Sequence, residues 1–266
     1  MKLDLKAEHT VYKDSEGKRL TGVTTYLGVL AKPQLLGWYA SMEREGILSL
    51  AERLAADKGE DVVRTLALRA CAPVVVGTGK PIWYAEAKRD RAADLGTVTH
   101  ARCEAWLLKD ELERDGIPAD LYEKSQHGLD RFVAWWTEQS LTLLHSERVL
   151  VYDDGKMAYG GTADILARDK AGRTVLIDLK TSKASPWWPY DEVYGQVAAY
   201  AEACANDPNT ALDVERIVVA RIGKEPGDEL QAVELKATQR AAGWRLFCAA
   251  YAAHEAKKEL GRLTKR

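Results

Sequence analysis

The spacing of apolar residues divides the chain into a helical part and a strand-forming part near residue 140. Before this point, apolar side chains recur every three to four positions, which is the period of an amphipathic helix. These helical stretches are residues 33–59, with Gly46 as the expected break, and residues 61–72, 80–112 and 119–140. Residues 9–27 alternate instead around Ser15-Glu16-Gly17, and this alternation predicts a hairpin.

After residue 140 the period of the pattern falls to two, as expected for half-buried strands. The predicted strands are residues 141–153, 161–169, 173–181, 214–223 and 229–235. A helical segment separates the third strand from the fourth, and residues 238–260 form a final amphipathic helix. The sequence therefore predicts an α/β fold. A mixed sheet of about five strands occupies residues 141–266, and a mainly helical region occupies residues 1–140, together in one compact domain.

The second and third strands are close enough in sequence for their register to be predicted. Lys170-Ala171-Gly172 fits a three-residue hairpin loop with glycine in the left-handed position, which pairs Asp169 with Arg173. Asp164 then lies directly opposite Asp178, with their Cβ atoms about 5 Å apart and Lys180 as a diagonal neighbour. Two facing carboxylates repel each other unless positive charge lies between them, and a divalent cation would supply it.

Oxygen ligands at this spacing suit Mg²⁺ or Mn²⁺, which keep some positions for water and substrate phosphate. A lysine beside the cation can orient or deprotonate the attacking water, or neutralise charge that develops on a phosphate. These groups together indicate phosphodiester hydrolysis. Gly160 and Gly161, just before Asp164, allow a close backbone approach or a sharp bend at an active-site edge.

Composition limits the other classes of function. With 46% hydrophobic and 29% charged residues, the chain has the composition of a globular protein, and its net charge of −2 provides no general attraction for nucleic acid. A nucleic-acid partner would need a local basic groove or a bound metal. The charged N-terminus and the lack of a long apolar run predict a cytoplasmic protein without a membrane segment. The four cysteines form no C-x-x-C pair, so free thiols are expected.

Several motifs occur in the order found in a known family. GTAD at 161–164, IDLKTSK at 177–183 and YGQVAAYAEA at 194–203 follow one another, and GTVTH at 96–100 precedes them. This order resembles the RecB-like branch of the PD-(D/E)XK nuclease superfamily, whose pattern is G-x-x-D, D-x-K-T and Q-x-x-x-Y. Residues 21–40 also resemble the N-termini of phage-encoded exonucleases. The resemblance implies a restriction-endonuclease-like core.

The resemblance also implies roles for individual residues. Asp164 and Asp178 would bind the metal together with the backbone carbonyl of Leu179, and Lys180 would be the catalytic lysine. Further site residues implied by the family are His100 as an additional metal ligand, Gln196 and Tyr200 as residues that orient the site or hold DNA, and Glu147 as an acidic residue of the first strand. The superfamily accepts Asp178 where many members carry glutamate. The cysteine cluster of the iron-sulfur members is missing, so no iron-sulfur cluster is expected.

Some of these residues also have a purely structural interpretation. His100 would be a core histidine at a contact between helices, and Gln196 with Tyr200 would be ordinary helix packing. Trp187 and Trp188, in the loop after the catalytic strand, either stack on unpaired bases or cap the core. The remaining candidates for DNA contact are Thr181, Ser182 and Lys183 at the end of that strand.

The expected function is a Mg²⁺- or Mn²⁺-dependent DNA exonuclease that acts on DNA with a free end. A role in phage-type recombination or DNA processing, in the cytoplasm of a bacterial host, follows from the resemblance alone. This role leaves room for a recombinase or single-strand-binding partner and for oligomer formation. The alternatives are a structure-specific or restriction-type endonuclease of the same fold, and a DNA-binding module that has lost catalysis.

Overall fold

The computed structural model describes residues 11–30, 33–56, 74–76, 80–82, 84–182, 187–207, 211–225 and 227–264. The helices are α1 Val23–Leu27, α2 Pro33–Ala56, α3 Tyr84–Leu108, α4 Ala119–Gln139, α5 Asp191–Asn206 and α6 Ala237–Leu263. The strands are β1 Val74–Val76, β2 Lys80–Ile82, β3 Thr142–Asp153, β4 Ala158–Arg168, β5 Thr174–Ser182, β6 Arg216–Gly223 and β7 Gln231–Glu234. The predicted helix 61–72 lies outside the described residues, and so does Cys71.

The predicted mixed sheet is confirmed. In the described part of the chain, five strands form one sheet in the order β3-β4-β5-β6-β7, and each begins and ends within about three residues of its predicted position. β5 and β6 are parallel, with α5 between them in sequence, and the other neighbouring pairs are antiparallel. The continuous burial of β5 from Thr174 to Leu179 fits a central strand that is covered on both faces.

The sheet carries a hydrophobic core on each face. On one face, Leu176 and Val219 pack with residues of α1, α5 and α6, such as Val197 and Phe247. On the other face, the alternate strand residues pack with Cys103 of α3 and with Phe132 and Trp136 of α4. Since strand residues alternate between faces, this division assigns Asp178 and Lys180 to the same face as Leu176.

The register predicted for β4 and β5 is correct. Ile165 pairs with Ile177 and Arg168 pairs with Thr174, while the Asp169 N–H donates to the Arg173 carbonyl at 3.0 Å. Gly172 has φ of +81°, the left-handed conformation that the three-residue loop requires. Asp164 and Asp178 therefore come immediately after the last ladder pair, where the two strands part.

The N-terminal hairpin prediction is correct around the turn and wrong for the end of the second arm, while residues 9–10 lie outside the described residues. Lys13 and Arg19 form an antiparallel bridge around a turn closed by the Gly17 N–H and the Asp14 carbonyl. The second arm ends at Gly22, because the following residues form α1 and bury Val23, Tyr26 and Leu27. Helical spacing of these apolar residues against the core overrides the local alternation. Gly46 does not break α2, and Lys80–Ile82 forms β2 rather than helix.

The described residues divide into two compact units. One contains those of Ala31–Thr97, and the other contains those of Leu5–Leu30 and Val98–Arg266. The predicted division at residue 140 stays a prediction. Among the described residues, no helix has the length and apolar character needed to cross a membrane.

Candidate active site

Asp164, Asp178 and Lys180 meet where β4 and β5 separate. Continuing the ladder would direct the Leu179 N–H toward the Ala163 carbonyl, but this N–H donates instead to Asp164 Oδ2 at 2.7 Å. Lys180 Nζ lies 2.5 Å from Asp178 Oδ2. The Asp164 side chain thus replaces a backbone acceptor at the point of separation, and this contact fixes its carboxylate beside the catalytic candidates of β5.

Burial and mutual repulsion shape the ionisation of the two carboxyl groups. Asp178 is 1% exposed, and burial, followed by the nearby Asp164 charge, raises its pKa to about 6 against the pull of Lys180. Burial also raises the pKa of Asp164. The two carboxylates in turn raise the pKa of Lys180, although its burial acts in the opposite direction. Lys180 is therefore an ammonium ion at neutral pH, which favours the orienting and charge-neutralising roles over proton abstraction.

His100 of α3 reaches the same site. It lines a pocket together with Asp164 and Leu179. Burial and then the Lys180 charge lower the His100 pKa to about 4, although Asp178 raises it. The imidazole is therefore neutral at neutral pH, which is the form that binds metals. His100 thus lies on the pocket beside Asp164, and its role as a metal ligand stays a prediction.

The pocket also contains two glutamates. Glu147, a candidate from the sequence, lines it with Glu104, which sequence reasoning missed. Burial, followed by Asp164 and Glu104, raises the Glu147 pKa to about 8, and burial and Asp164 raise the pKa of Glu104. Glu104 stands four residues after His100 on α3, so its position on the same helical face was a usable signal.

The backbone of Glu147 is strained. Its φ is +47°, a left-handed conformation that non-glycine residues rarely adopt within a strand. It lies opposite Asp164, between the pairs Ser146–Ile165 and Arg148–Ala163, and a register shift occurs between Leu143 and His145. Such strain persists where the surrounding structure requires it, and here it accompanies a side chain on the acidic pocket.

Gln196 and Tyr200 support the site from α5. Gln196 Nε2 donates to Tyr200 Oη at 3.1 Å, and Tyr200 is 4% exposed. Burial and then the Asp178 charge raise the Tyr200 pKa, which indicates that the phenol lies near that carboxylate. The half-buried Gln196 and the buried Tyr200 thus form a polar pair on α5, and their role in the site stays a prediction.

The two glycines before Asp164 permit close packing, as predicted. A Cβ at Gly161 would lie 2.4 Å from Tyr200 Cε1, and a Cβ at Gly160 would lie 2.2 Å from Tyr12 Cβ. Tyr12 also bonds Thr162 through its hydroxyl, with the two oxygens 3.0 Å apart. Aromatic rings thus cover both glycines and hold β4 in position ahead of Asp164.

Replacing Gly161 with alanine is expected to destabilise the protein, because the new methyl group overlaps the buried Tyr200 ring. Overpacking of this kind costs about 1–3 kcal/mol in the free energy of unfolding. Urea denaturation measures this change. Gly261→Ala is the matched control, since a Cβ at that helical position meets no atom within 4 Å. Equal stability of the Gly161→Ala variant and the wild type would show that Tyr200 does not depend on this close approach.

The remaining candidates, those for DNA contact, differ in their burial. Trp187 is 4% exposed and belongs to the core, which favours the core-capping interpretation for it, whereas Trp188 is 67% exposed. Gln231 holds the Trp187 backbone with two hydrogen bonds of 3.1 Å, one to its N–H and one to its carbonyl. Thr181 and Ser182 are half-buried at the end of β5. Lys183 lies outside the described residues.

The side chains present fit a hard divalent cation. Within the described part of the chain, Asp178 Oδ1 is a buried oxygen with no hydrogen-bond partner. The pocket lined by Asp164 also contains neutral His100 and the carboxyl groups of Glu104 and Glu147. No three of the described histidine, cysteine and acidic side chains converge as a complete metal-ligand group. This arrangement fits a cation that takes one or two carboxylates and completes its shell with water and phosphate.

The mixed sheet, with its two carboxylates and ammonium at the parting of two strands, is the arrangement expected of a phosphodiester-cleaving nuclease. The family model of the PD-(D/E)XK nuclease superfamily matches residues 78–262, and the chain belongs to this superfamily. A search of curated protein sequences found no significant match.

Solved structures of similar proteins include two from bacteria. An exonuclease candidate from Eubacterium rectale is 8% identical, with a TM-score of 0.42, and the match covers 57% of this chain and 63% of the other. An alkaline exonuclease from Laribacter hongkongensis is 16% identical, with a TM-score of 0.31, and the match covers 65% of this chain and 89% of the other. The latter enzyme has also been solved in complex with dAMP, and that structure gives a TM-score of 0.30 at 15% identity, covering 65% of this chain and 97% of the other.

Proposed function

We propose that this nuclease is a divalent-metal-dependent DNA exonuclease. The observation that carries the proposal is the meeting of Asp164, Asp178 and Lys180 at one point, with a buried and unpartnered Asp178 oxygen. Burying such an oxygen without a partner is costly, and a bound cation would remove that cost. Mg²⁺ and Mn²⁺ are the proposed ions, because the groups around the site are mainly carboxylates.

The proposed metal-holding residues are Asp164, Asp178, the Leu179 carbonyl and His100. A divalent cation at this position would act as a Lewis acid toward the phosphate. Lys180, held as an ammonium ion by the two aspartates, would orient the attacking water and stabilise negative charge that develops on the phosphate oxygens. Gln196 and Tyr200 would hold the Asp178 side of the site in place, and Glu104 with Glu147 would add acidic groups to the pocket.

The proposal also specifies that cleavage starts at a DNA end and not within the strand. It is supported by the resemblance of residues 21–40 to phage-encoded exonucleases, which also suggests a recombination or DNA-processing role in a bacterial host. Exposed Trp188, which follows the core-anchored Trp187, is suited to stack on an unpaired base near such an end. A recombinase or single-strand-binding protein would be a natural partner in that role.

The choice between end-dependent and internal cleavage is tested with labelled DNA. The protein is incubated with linear duplex, linear single-stranded and closed circular DNA of the same sequence, with Mg²⁺, Mn²⁺ or EDTA. We expect linear DNA to be degraded with either metal, and closed circles and all EDTA samples to remain intact. Cleavage of circles would identify an endonuclease. Binding of DNA without cleavage under any metal would identify the catalytically silent module.

A further inference from the structure

The loop between β6 and β7 lies at the same edge of the sheet as the catalytic end of β5. In the parallel ladder, Lys180 pairs with Arg221 and Ser182 pairs with Gly223. Parallel strands end at the same edge of a sheet, so the residue after Gly223 emerges beside the end of β5. That residue is Lys224, and its side chain is half-buried.

Asp228 fixes the conformation of this loop around Lys224. Asp228 Oδ2 accepts hydrogen bonds from the N–H groups of Lys224 at 3.1 Å and Glu225 at 3.2 Å. The absence of a side chain at Gly223 makes this possible, since a Cβ there would lie 2.0 Å from Asp228 Cβ. The lysine therefore projects from a backbone that local hydrogen bonds hold in place.

Two further groups of contacts tie the loop to the body of the protein. His127 of α4 donates from Nε2 to the Asp228 carbonyl at 2.9 Å, and Arg131 of α4 pairs with Glu229 at 3.0 Å. Beneath the loop, Arg221 is 2% exposed and donates from Nη1 to the Glu229 carbonyl at 3.3 Å. Its Nη2 lies 3.7 Å from Asp228 Oδ2. A loop anchored in this way can present a cation at a defined position with little loss of entropy on binding.

The charges around Lys224 indicate what a cation at this position can do. The pocket is lined by carboxyl groups, which oppose the approach of DNA phosphates when they are ionised, and Lys180 is already engaged by Asp178. Lys224 follows β6 at the edge of the sheet where the neighbouring strand β5 carries Lys180. It thus adds positive charge at the strand end that carries Lys180.

We propose that Lys224 binds a phosphate of the cleaved DNA strand that neighbours the scissile phosphate. It is a positioning residue, because it contacts the backbone of the substrate and not the reacting atoms. This assignment rests on the proposed nuclease function and deepens it. The braced β6–β7 loop, of which residues 224–225 and 227–230 are described, would place the DNA strand so that its next phosphate enters the pocket beside Lys180.

The test is the salt dependence of DNA binding by the Lys224→Ala variant. Binding to a fluorescent oligonucleotide is measured by anisotropy in EDTA, between 50 and 200 mM salt, a range in which phosphate contacts strongly affect affinity. We expect an affinity about tenfold weaker at low salt, as for the loss of one charged hydrogen bond. We also expect the slope of log affinity against log salt to fall by roughly one. With metal, KM should rise more than kcat falls.

Lys170→Ala is the matched control, because Lys170 is an exposed lysine in the turn at the opposite end of β5. It should leave the salt slope unchanged, and Lys224→Arg should keep most of the wild-type affinity. An unchanged slope in Lys224→Ala, or an equal change in Lys170→Ala, would overturn the assignment. Failure of the wild type to cleave any DNA would instead refute the nuclease proposal, and the binding comparison would still decide the role of Lys224.

Discussion

Replacing Lys180 with alanine is expected to reduce kcat about a hundredfold, in keeping with the loss of one electrostatic donor in an active site. The ammonium group lies 2.5 Å from Asp178 Oδ2, and the two aspartates raise its pKa, so it carries positive charge at working pH. The variant should still bind Mn²⁺ and DNA, because the oxygen ligands remain. Single-turnover cleavage of end-labelled linear DNA separates the chemical step from binding.

The same measurement distinguishes an electrostatic role from proton abstraction. Lys180→Arg retains the positive charge and cannot act as a base near neutral pH, so an electrostatic lysine should be partly replaced by arginine. If Lys180 acted as a base, arginine would be as damaging as alanine. Removing the partner of a buried carboxylate also destabilises the fold, so rates should be compared at temperatures well below the unfolding midpoint of each variant. Wild-type rates in Lys180→Ala would contradict the mechanism.

The central pair of the site could be predicted from sequence because local rules determine it. The loop Lys170-Ala171-Gly172 is short, and glycine at its last position accepts the left-handed φ that is observed. Once Asp169 pairs with Arg173, strand geometry places Asp164 opposite Asp178 without reference to the rest of the chain. Register needs no long-range information in such a hairpin.

Residues that reach the site through tertiary packing could not be predicted in the same way. Glu104 enters the pocket because α3 packs beside the sheet, and Glu147 does so in a left-handed conformation within a strand. Neither the helix position nor the strained φ follows from local propensity. The two neighbouring tryptophans show the same limit, since Trp187 packs in the core and Trp188 is exposed although their sequence context is shared.

The packing of Tyr12 against Gly160 is a further contact that the sequence could not predict. The close backbone approach at the two glycines was predictable, but the identity of the covering residue was not, because Tyr12 comes from a segment almost 150 positions away. The N–H of Gly160 donates to the Thr21 carbonyl, and Gly22 forms an isolated parallel bridge with Gly160, so this segment pairs with β4 at one point. Contacts of such high sequence separation depend on the completed fold.

Asp178→Asn is expected to have the largest effect on catalysis. The carboxylate provides both a proposed metal ligand and the anion that holds Lys180 in place. Metal-ion stabilisation of a phosphoryl transition state is worth several kcal/mol, and each 1.36 kcal/mol is tenfold, so the rate should fall about a thousandfold. Calorimetric titration with Mn²⁺ should show weaker binding, and Asp164→Asn should behave alike. Unchanged Mn²⁺ affinity in both variants would exclude these two side chains as ligands.

The same substitution should not destabilise the metal-free protein. Burial and Asp164 raise the Asp178 pKa from 3.8 to about 6, so between those pH values the folded state holds a proton that the unfolded state has lost. Wild-type stability therefore falls as pH rises through this window, whereas the uncharged asparagine escapes that penalty.

In EDTA at pH 7 the Asp178→Asn variant should melt at the same temperature as the wild type or higher, and at pH 4 the difference should shrink. With saturating Mn²⁺ the wild type should melt at the higher temperature. An ion that binds only the folded state stabilises a protein more when it binds more tightly, and the wild type is expected to bind Mn²⁺ more tightly. A variant that melts well below the wild type in EDTA at pH 7 would mean that Asp178 serves the fold through its pair with Lys180. In that case, repulsion between the buried Asp164 and Asp178 carboxylates, relieved by a bound cation, would not be the basis of this site.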